Sequence, residues 1–189
     1  MSESGFRLDH RLLRHRFGRA AARVDGADLL SREIARRMDE RLEYIRIAPR
    51  RVLDIGCGTG ADLALLAARY PEAQVLGADF APPMLARAQT RQPRAGLLRR
   101  LVGRAPGGPA LFAADACALP LARNSVGMLW SNLMLPAHDD PLPALREMHR
   151  VLEVDGLLMF SSLGPDTLRE LRVALPDARG FHDDQVESG

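Results

Sequence analysis

A short apolar run that opens into a glycine-rich turn constrains this chain more than any other feature. The run covers residues 51–55, and Gly56, Gly58 and Gly60 follow it at alternate positions. Glycine tolerates positive φ and has no side chain, so the backbone of such a turn can approach a ligand closely. Residues 61–69 are predicted to form a helix whose N-terminus points at the same place. The pattern therefore predicts a strand, a turn and a helix built to hold a nucleotide-like ligand.

Two classes of ligand are compatible with this turn, a dinucleotide and S-adenosylmethionine. Gly56, Gly58 and Ala61 satisfy the looser GxGxxG/A dinucleotide pattern, and Asp79 follows at the distance expected of a ribose-binding acid. The third glycine and the Asp54 carboxylate favour S-adenosylmethionine, because a carboxylate repels a pyrophosphate and attracts a cation. S-adenosylmethionine carries a sulfonium and an ammonium and has no phosphate. The DxGxGxG pattern resembles motif I of class I S-adenosylmethionine-dependent methyltransferases.

Short apolar runs alternate with segments of helical spacing along the rest of the chain. This alternation predicts an α/β class, with a parallel sheet flanked by helices in a Rossmann-like class I methyltransferase fold. A chain of 189 residues with 47% hydrophobic content can bury one such core. The five predicted strands are Val52–Ile55, Val75–Ala78, Ala110–Ala114, Val126–Trp130 and Leu157–Ser161.

The chain divides into three predicted regions. Residues 1–48 are expected to form an N-terminal helical cap segment in which Ser31 is the predicted N-cap, residues 49–175 the S-adenosylmethionine-binding domain, and residues 176–189 a disordered tail. The methyltransferase fold has seven strands, so five predicted strands imply that the last two are missing and that the chain is a fragment or truncated. The fifth strand is then expected to leave an exposed sheet edge.

Residues at the ends of the second and third strands are the predicted cofactor ligands. Asp79 lies where its carboxylate can accept both ribose hydroxyls, although a helix N-cap would use the same side chain. Its neighbours Phe80 and Met84 are expected to flank the adenine. Asp115 and the backbone N–H of Ala116 suit the adenine edge, and a loop carboxylate is the alternative for Asp115.

The end of the fourth strand should face both cofactor and substrate, because ligands bind at the carboxyl edge of open α/β sheets. Asn132 is predicted there to order the methionine moiety or a substrate carbonyl. His138 is a candidate proton acceptor, but a lone histidine in a loop is more often solvated. No catalytic base is assigned, since methyl transfer to an ionised oxygen needs only alignment and desolvation. No metal site is predicted.

Composition excludes several chemistries and partners. Every basic residue is arginine, which excludes lysine Schiff-base chemistry. The net charge of +2 and the lack of aromatics among the arginines argue against nucleic acid. Cys57 and Cys117 form no CxxC pair and no apolar run is long enough to span a membrane, so a cytoplasmic protein without membrane association is predicted. The arginine clusters, which would suit an acidic partner, lie in residues 7–23, 99–104 and 169–172.

Longer segments of the sequence resemble one family within the methyltransferases. The N-terminal FGRAAARVDGADLLSREIARRMDERL, the motif VLDIGCGTG and the segment WSNLMLPAHDDPLPALREMHRVLEVDGLLMFSSLGPDTLRELR resemble the malonyl-acyl-carrier-protein O-methyltransferases of biotin synthesis. The resemblance implies S-adenosylmethionine-dependent O-methylation of the free carboxylate of a malonyl thioester on an acidic acyl carrier protein. By residue matching it assigns cofactor binding to Asp54, Gly56, Gly58, Gly60, Asp79, Asp115 and Ala116, with Asn132 as an addition; Cys57, inside the motif, completes the predicted site.

Other functions on the same scaffold stay open. A complex I assembly factor that hydroxylates an arginine resembles this chain in the same segments, so the fold alone does not fix the reaction. The alternatives are a methyltransferase-like hydroxylase or a non-catalytic complex assembly factor. As to partners, the exposed sheet edge also predicts self-association. The chain also departs from the family's usual residues at Val24-Asp25, Val126-Gly127 and Val154-Asp155-Gly156.

Overall fold

Helices and strands alternate along the chain in the computed structural model, which describes residues 10–20, 28–92, 108–164 and 167. The predicted tail and the arginine clusters at 99–104 and 169–172 lie outside these ranges. The elements are helices α1 (His10–Ala20), α2 (Leu29–Leu42), α3 (Ala61–Arg69), α4 (Pro82–Arg91) and α5 (Leu142–Val151), strands β1 (Arg51–Ile55), β2 (Gln74–Asp79), β3 (Ala110–Ala113), β4 (Val126–Asn132) and β5 (Leu152–Ser161), and a 3₁₀ turn at Leu135–Ala137.

The strands form a five-stranded sheet in the order β3-β2-β1-β4-β5, and all neighbouring pairs are parallel. This confirms the predicted α/β class and the five predicted strands. The chain builds outward from β1 through β2 to β3 and then returns to the other side of β1 with β4. Such a reversal of strand order leaves a crevice at the carboxyl ends of β1 and β4, which is where open α/β sheets bind ligands.

Both faces of the sheet are covered, which explains why its central strands read as continuous apolar runs. Alternate residues of one strand serve opposite faces: Val52 packs with buried side chains of α2 and α3, whereas Leu53 packs with those of α5. The same alternation places Met128 on the first face and Leu129 on the second. Packing on two faces fixes the strand register, and with it the position of the turn after β1.

The N-terminal helices pack around the carboxyl end of the sheet. α2 begins at Leu29 after Asp28, so the predicted N-cap at Ser31 is wrong: the Ser31 hydroxyl lies inside the helix and donates to the Asp28 carbonyl oxygen at 2.9 Å. α1 rests on α4, where a Cβ added at Gly18 would lie 3.2 Å from Cγ of Pro83. The cap and domain boundaries stay predictions. Within the described ranges, no helix is long and apolar enough to cross a membrane.

β5 begins earlier than predicted and carries an irregularity. It starts at Leu152 instead of Leu157, directly after α5, and its register against β4 shifts between the pairs Val126–Leu152 and Met128–Leu157. Asp155 lies in this bulge with φ of 63°, a left-handed conformation that costs a residue with a Cβ about 1–2 kcal/mol. Because of the bulge, β5 pairs with β4 both before and after the register shift.

Replacing Asp155 by glycine is expected to stabilise the fold. Glycine adopts positive φ without the Cβ penalty, and part of this gain is offset by the larger backbone entropy of glycine in the unfolded chain, so a net gain of up to about 1 kcal/mol is expected. Urea unfolding followed by circular dichroism measures it. Asp155→Ala is the matched control, because it removes the same exposed carboxylate but keeps the Cβ. Equal free energies of unfolding for Asp155→Gly and Asp155→Ala would show that the backbone at this position is not strained.

Candidate ligand site at the carboxyl ends of β1 and β4

A cavity of about 300 Å³ occupies the crevice where the strand order reverses. All the predicted site residues line it except Gly60, which packs inward: a Cβ there would lie 2.9 Å from Cβ of Ala88. The lining also includes residues from α1, α2 and α3. The full lining adds Phe17, Asp28, Ser31, Ile55, Thr59, Ala61, Asp62, Ala78, Ala114, Leu133, Met134, Ala137 and His138 to the predicted Asp54, Gly56, Cys57, Gly58, Asp79, Phe80, Met84, Asp115, Ala116 and Asn132.

The turn after β1 contains two glycines that are needed for different reasons, one for close packing and one for open space beside the backbone. Gly56 and Gly58 both have positive φ, at 75° and 52°. A Cβ on Gly56 would lie 2.5 Å from Cγ of Met134, so this glycine is required for packing. A Cβ on Gly58 would meet no described heavy atom within 4 Å, so the backbone at Gly58 borders open space. This is the arrangement expected where a ligand approaches the main chain closely.

Asp79, at the end of β2, holds this turn in place. One carboxylate oxygen accepts the N–H of Gly58 at 2.9 Å and the other accepts the N–H of Ala81 at 2.8 Å, just before α4. The N-cap residue of α4 is Ala81, so the helix N-cap that was the alternative role of Asp79 is wrong: its carboxylate bridges the glycine turn and the residue before the helix. Each oxygen retains a further lone pair. Burial raises the pKa of this carboxyl, and the two backbone hydrogen bonds oppose that shift.

Asp54 is the most deeply buried carboxylate of the site. It is 2% exposed, and its Oδ2 has no hydrogen-bond partner among the described residues. Burial, and next the negative charges of Asp62 and Asp79, raise its pKa well above the usual 3.8. The pKa of the Asp62 carboxyl is also raised, chiefly by burial. The cavity thus gathers negative charge that a cation would stabilise.

A hydrogen-bond network fixes Asn132 at the end of β4. Its amide nitrogen donates to Oδ2 of Asp62 at 3.1 Å and to the Ser31 carbonyl oxygen at 2.8 Å. Its amide oxygen accepts from the Ser161 hydroxyl at 2.9 Å. Oδ2 of Asp62 also accepts from the indole N–H of Trp130 at 2.8 Å. Both amide hydrogens of Asn132 are thus engaged within the protein.

Leu133, the next residue, adopts an unusual backbone conformation at the wall of the cavity. Its φ is 57°, in the left-handed region that a leucine rarely enters. The N–H of Leu133 donates to the hydroxyl oxygen of Ser161 at 3.0 Å, so the end of β5 helps to hold this geometry. A residue in such an unfavourable backbone conformation persists only where the surrounding contacts hold it there. Residues of this kind concentrate at functional sites.

The far end of the cavity is apolar and partly closed by α1. Phe80 and Met84 form part of its wall, and Phe17 of α1 meets Phe80 edge to face, with ring centroids 5.6 Å apart and an interplanar angle of 74°. Asp115 lies at the rim, where its Oδ1 accepts the N–H of Cys117 at 2.8 Å. This end suits a flat aromatic group with a polar edge.

Sequence reasoning missed Asp62, Trp130, Ser31 and Phe17. Asp62 lies in the first turn of α3, where an acidic residue complements the helix dipole, so its sequence position gives no reason to expect a second role. Only the packing of α3 against β4 brings its carboxylate to Trp130 and Asn132. Phe17 reaches the cavity through the position of α1, which no local pattern reveals.

The sequence profile of the methyltransferase domain family matches residues 53–160 of this chain. That stretch contains the glycine turn, β2 with Asp79, and β4 with Asn132, the elements that build the cavity. The chain belongs to the methyltransferase domain family.

Individual relatives extend the similarity outside the matched domain. The malonyl-[acyl-carrier protein] O-methyltransferase of Laribacter hongkongensis is 53% identical over 93% of this chain, and that of Gallionella capsiferriformans is 47% identical over 89%. The chain spans 58% and 57% of the length of these relatives. The predicted resemblance to enzymes of this name is confirmed.

A solved structure shares the fold. A chain in the complex of the Haloferax volcanii Trm112 methyltransferase activator with a methyltransferase superposes with a TM-score of 0.63. The match covers 85% of this chain and 74% of that one, at 20% sequence identity. At this identity the likeness concerns the fold alone, and it agrees with the predicted Rossmann-like class I methyltransferase fold.

Removing the Asp62 carboxylate is expected to destabilise the protein. Asp62→Ala leaves the buried indole N–H of Trp130 and one amide hydrogen of Asn132 without their acceptor, at a cost of about 1–3 kcal/mol. Asp62→Asn keeps a carbonyl oxygen as acceptor and is expected to cost less. Urea unfolding measures both, with Trp130 fluorescence as probe because it is the only tryptophan. An unchanged free energy of unfolding and unchanged Trp130 emission in Asp62→Ala would contradict the hydrogen bonds from Trp130 and Asn132 to Asp62.

Proposed function

We propose that this chain binds S-adenosylmethionine in the cavity at the carboxyl ends of β1 and β4. The observation that carries the proposal is the Asp54 carboxylate, 2% exposed, whose Oδ2 has no partner within the described ranges and which faces the charges of Asp62 and Asp79. A buried carboxylate in such surroundings is stabilised by a bound cation. S-adenosylmethionine brings two positive groups, whereas the pyrophosphate of a dinucleotide would add negative charge.

The residues around the cavity also fit the rest of the cofactor. The open space beside Gly58 admits a ligand against the backbone, and Asp79 keeps lone pairs for ribose hydroxyls. Phe80 and Met84 offer apolar surface for adenine, and Asp115 offers an acceptor at its edge. When bound, S-adenosylmethionine supplies an electrophilic methyl group for transfer to a nucleophile. That these residues bind it stays a prediction.

The proposed role of Asn132 is narrower than the sequence predicted. Its two amide hydrogens are engaged by Asp62 and the Ser31 carbonyl, so only a lone pair on its oxygen is left for a ligand. A role in donating to a substrate carbonyl would require these bonds to break. We therefore propose that Asn132 holds the ends of α2 and β4 together at the cavity wall, and that it contacts the cofactor as an acceptor.

The proposed methyl acceptor is the free carboxylate of a malonyl thioester on an acyl carrier protein. The names of the relatives support it, and the charge of α1 is compatible with an acidic partner: Arg14, Arg16 and Arg19 are exposed on the helix that carries Phe17 to the cavity. The carboxylate is ionised at neutral pH, so no protein base is needed. The contribution of the chain would be alignment and exclusion of water.

The edge strand β5 supports a second, independent proposal on assembly. β5 ends the described sheet, and Val154 and Phe160 on it are 80% and 46% exposed. An edge strand with apolar side chains can pair with another strand, so self-association through β5 stays a proposal. A cytoplasmic location likewise stays a prediction from the cysteine content. The hydroxylase and assembly-factor alternatives have no particular observation in their favour.

Calorimetric titration tests cofactor binding. The chain is expected to bind S-adenosylmethionine saturably and NADH not at all. Asp79→Ala is expected to weaken binding at least about tenfold, because it removes charge-assisted hydrogen bonds to the ribose. Gly58→Ala, which fills the open space but keeps the Asp79 carboxylate, is a second probe. Asp155→Ala, remote from the cavity lining, is the control. Binding of NADH in preference to S-adenosylmethionine would overturn the proposal.

Transfer of a labelled methyl group tests the acceptor. Malonyl carrier protein is expected to gain a base-labile methyl ester in the presence of labelled S-adenosylmethionine, and acetyl carrier protein, which lacks the free carboxylate, is expected to remain unlabelled. The Asp79→Ala variant should reduce the labelling in proportion to its loss of cofactor binding. Saturable cofactor binding without transfer to malonyl carrier protein would overturn the acceptor and leave the cofactor proposal standing.

A further inference from the structure

Three side chains with metal-binding chemistry meet at the rim of the cavity. Asp115 and Cys117 lie on the turn after β3, and His138 follows the 3₁₀ turn after β4. Each offers one ligand atom, and the three atoms lie within 4.8 Å of one another. The spacing of these residues along the chain forms no metal-binding motif, which is why the sequence predicts no metal there. β3 and β4 are separated by β2 and β1 in the sheet, and the turns that follow them meet at its carboxyl edge.

The two turns hold these side chains through their own backbones. The N–H of Cys117 donates to Oδ1 of Asp115 at 2.8 Å, and the N–H of Ala118 donates to the Asp115 carbonyl at 3.0 Å. The N–H of His138 donates to the Leu135 carbonyl at 3.0 Å. The Asp115 side chain is exposed and those of Cys117 and His138 are half-buried, so the group is accessible to an ion from solvent.

The three ligand atoms, from a carboxylate, a thiol and an imidazole, favour zinc and similar transition metals. A thiolate, an imidazole nitrogen and a carboxylate oxygen together favour Zn²⁺ and its spectroscopic substitute Co²⁺ over Mg²⁺ or Ca²⁺, which prefer oxygen alone. Zn–S bonds of about 2.3 Å and Zn–N bonds of about 2.0 Å put tetrahedral ligand atoms roughly 3.5 Å apart.

We propose that Asp115, Cys117 and His138 form a binding site for a zinc-class transition metal at the rim of the cofactor cavity. Three protein ligands leave the fourth tetrahedral position open to water. Binding releases the thiol proton of Cys117 to solvent and forms a metal–sulfur bond, with no change of oxidation state. The metal site is distinct from the proposed methyl transfer, which uses no metal.

The site shares one residue with the proposed cofactor site. Asp115 is the predicted acceptor for the adenine edge, and both Asp115 and His138 line the cavity. A carboxylate oxygen that binds a metal is withdrawn from hydrogen bonding to adenine. Metal and cofactor therefore compete, and by linkage each weakens the other by the same factor. This part of the inference depends on the proposed function, whereas metal binding itself does not.

Cobalt titration of the cofactor-free chain tests the site directly. Addition of Co²⁺ is expected to give the visible ligand-field bands of tetrahedral cobalt and a thiolate-to-cobalt charge-transfer band in the near ultraviolet, and Zn²⁺ is expected to displace both. Absence of the charge-transfer band from folded wild-type protein would overturn the proposal. This readout requires neither S-adenosylmethionine nor a methyl acceptor, so its failure is distinguishable from failure of the proposed function.

Variants assign the ligands. Cys117→Ser is expected to abolish the charge-transfer band, and His138→Gln to weaken cobalt binding at least about 100-fold, since loss of an outer partner alone costs about 10- to 100-fold. The matched control is His149→Gln, on the exposed side of α5, which should leave the spectrum unchanged. Circular dichroism checks that the variants fold. A band that survives Cys117→Ser would point to the buried Cys57 and overturn the assignment.

Competition is measured by titrating S-adenosylmethionine into the chain with and without saturating Zn²⁺. Zinc is expected to weaken cofactor binding in the wild type and to have no effect in Cys117→Ser. Cofactor binding that is equally tight with zinc in the wild type would refute the sharing of Asp115, while the cobalt spectra would still report the metal site.

Discussion

The two hydrogen bonds that Asp79 accepts hold the site together. They join the end of β2 to the glycine turn after β1 and to the residue that precedes α4. The turn itself contains glycines with positive φ, and the N–H groups of Gly56 and Cys57 also donate to the Ala78 carbonyl oxygen near the end of β2. Packing on both faces of the sheet fixes the position of Asp79, and Asp79 in turn fixes the loop. The shape of the cavity thus depends on the strand register.

The burial of Asp54 makes the stability of the fold depend on pH. The usual pKa of an aspartic acid is 3.8, and that of Asp54 is raised well above it by burial and by neighbouring carboxylates. The unfolded chain therefore ionises at lower pH than the folded one, and stability is lost as pH rises from 3.8 through the raised pKa. A bound cation lowers that pKa and restores the stability that ionisation removes. The proposed cofactor binding would therefore be coupled to folding through the same carboxylate.

The sequence was most informative where local rules and tertiary structure agree. Apolar runs located the central strands β1, β2 and β4 most closely because these are buried on both faces, whereas the start of the partly exposed β5 was misplaced. The acid-glycine pattern located the turn because its backbone conformation excludes other residues. It was least informative where a contact joins distant elements. The start of α2 was misplaced because Ser31 resembles a cap locally. Asp62 was overlooked because its partners Trp130 and Asn132 lie on a strand remote in sequence. Gly60 was assigned to the ligand although it serves the packing of Ala88.

Ser161 connects the edge strand β5 to the wall of the cavity. Its hydroxyl donates to Asn132 and accepts from the strained Leu133, so one group at the end of β5 orients two residues of the cavity wall. β5 is also one of the two edges of the described sheet, where an additional strand or a second molecule could pair. The Ser161 hydroxyl and the pairing of Ser161 with Asn132 connect β5 directly to the cavity wall. A displacement of β5 at the sheet edge would therefore move two residues of that wall.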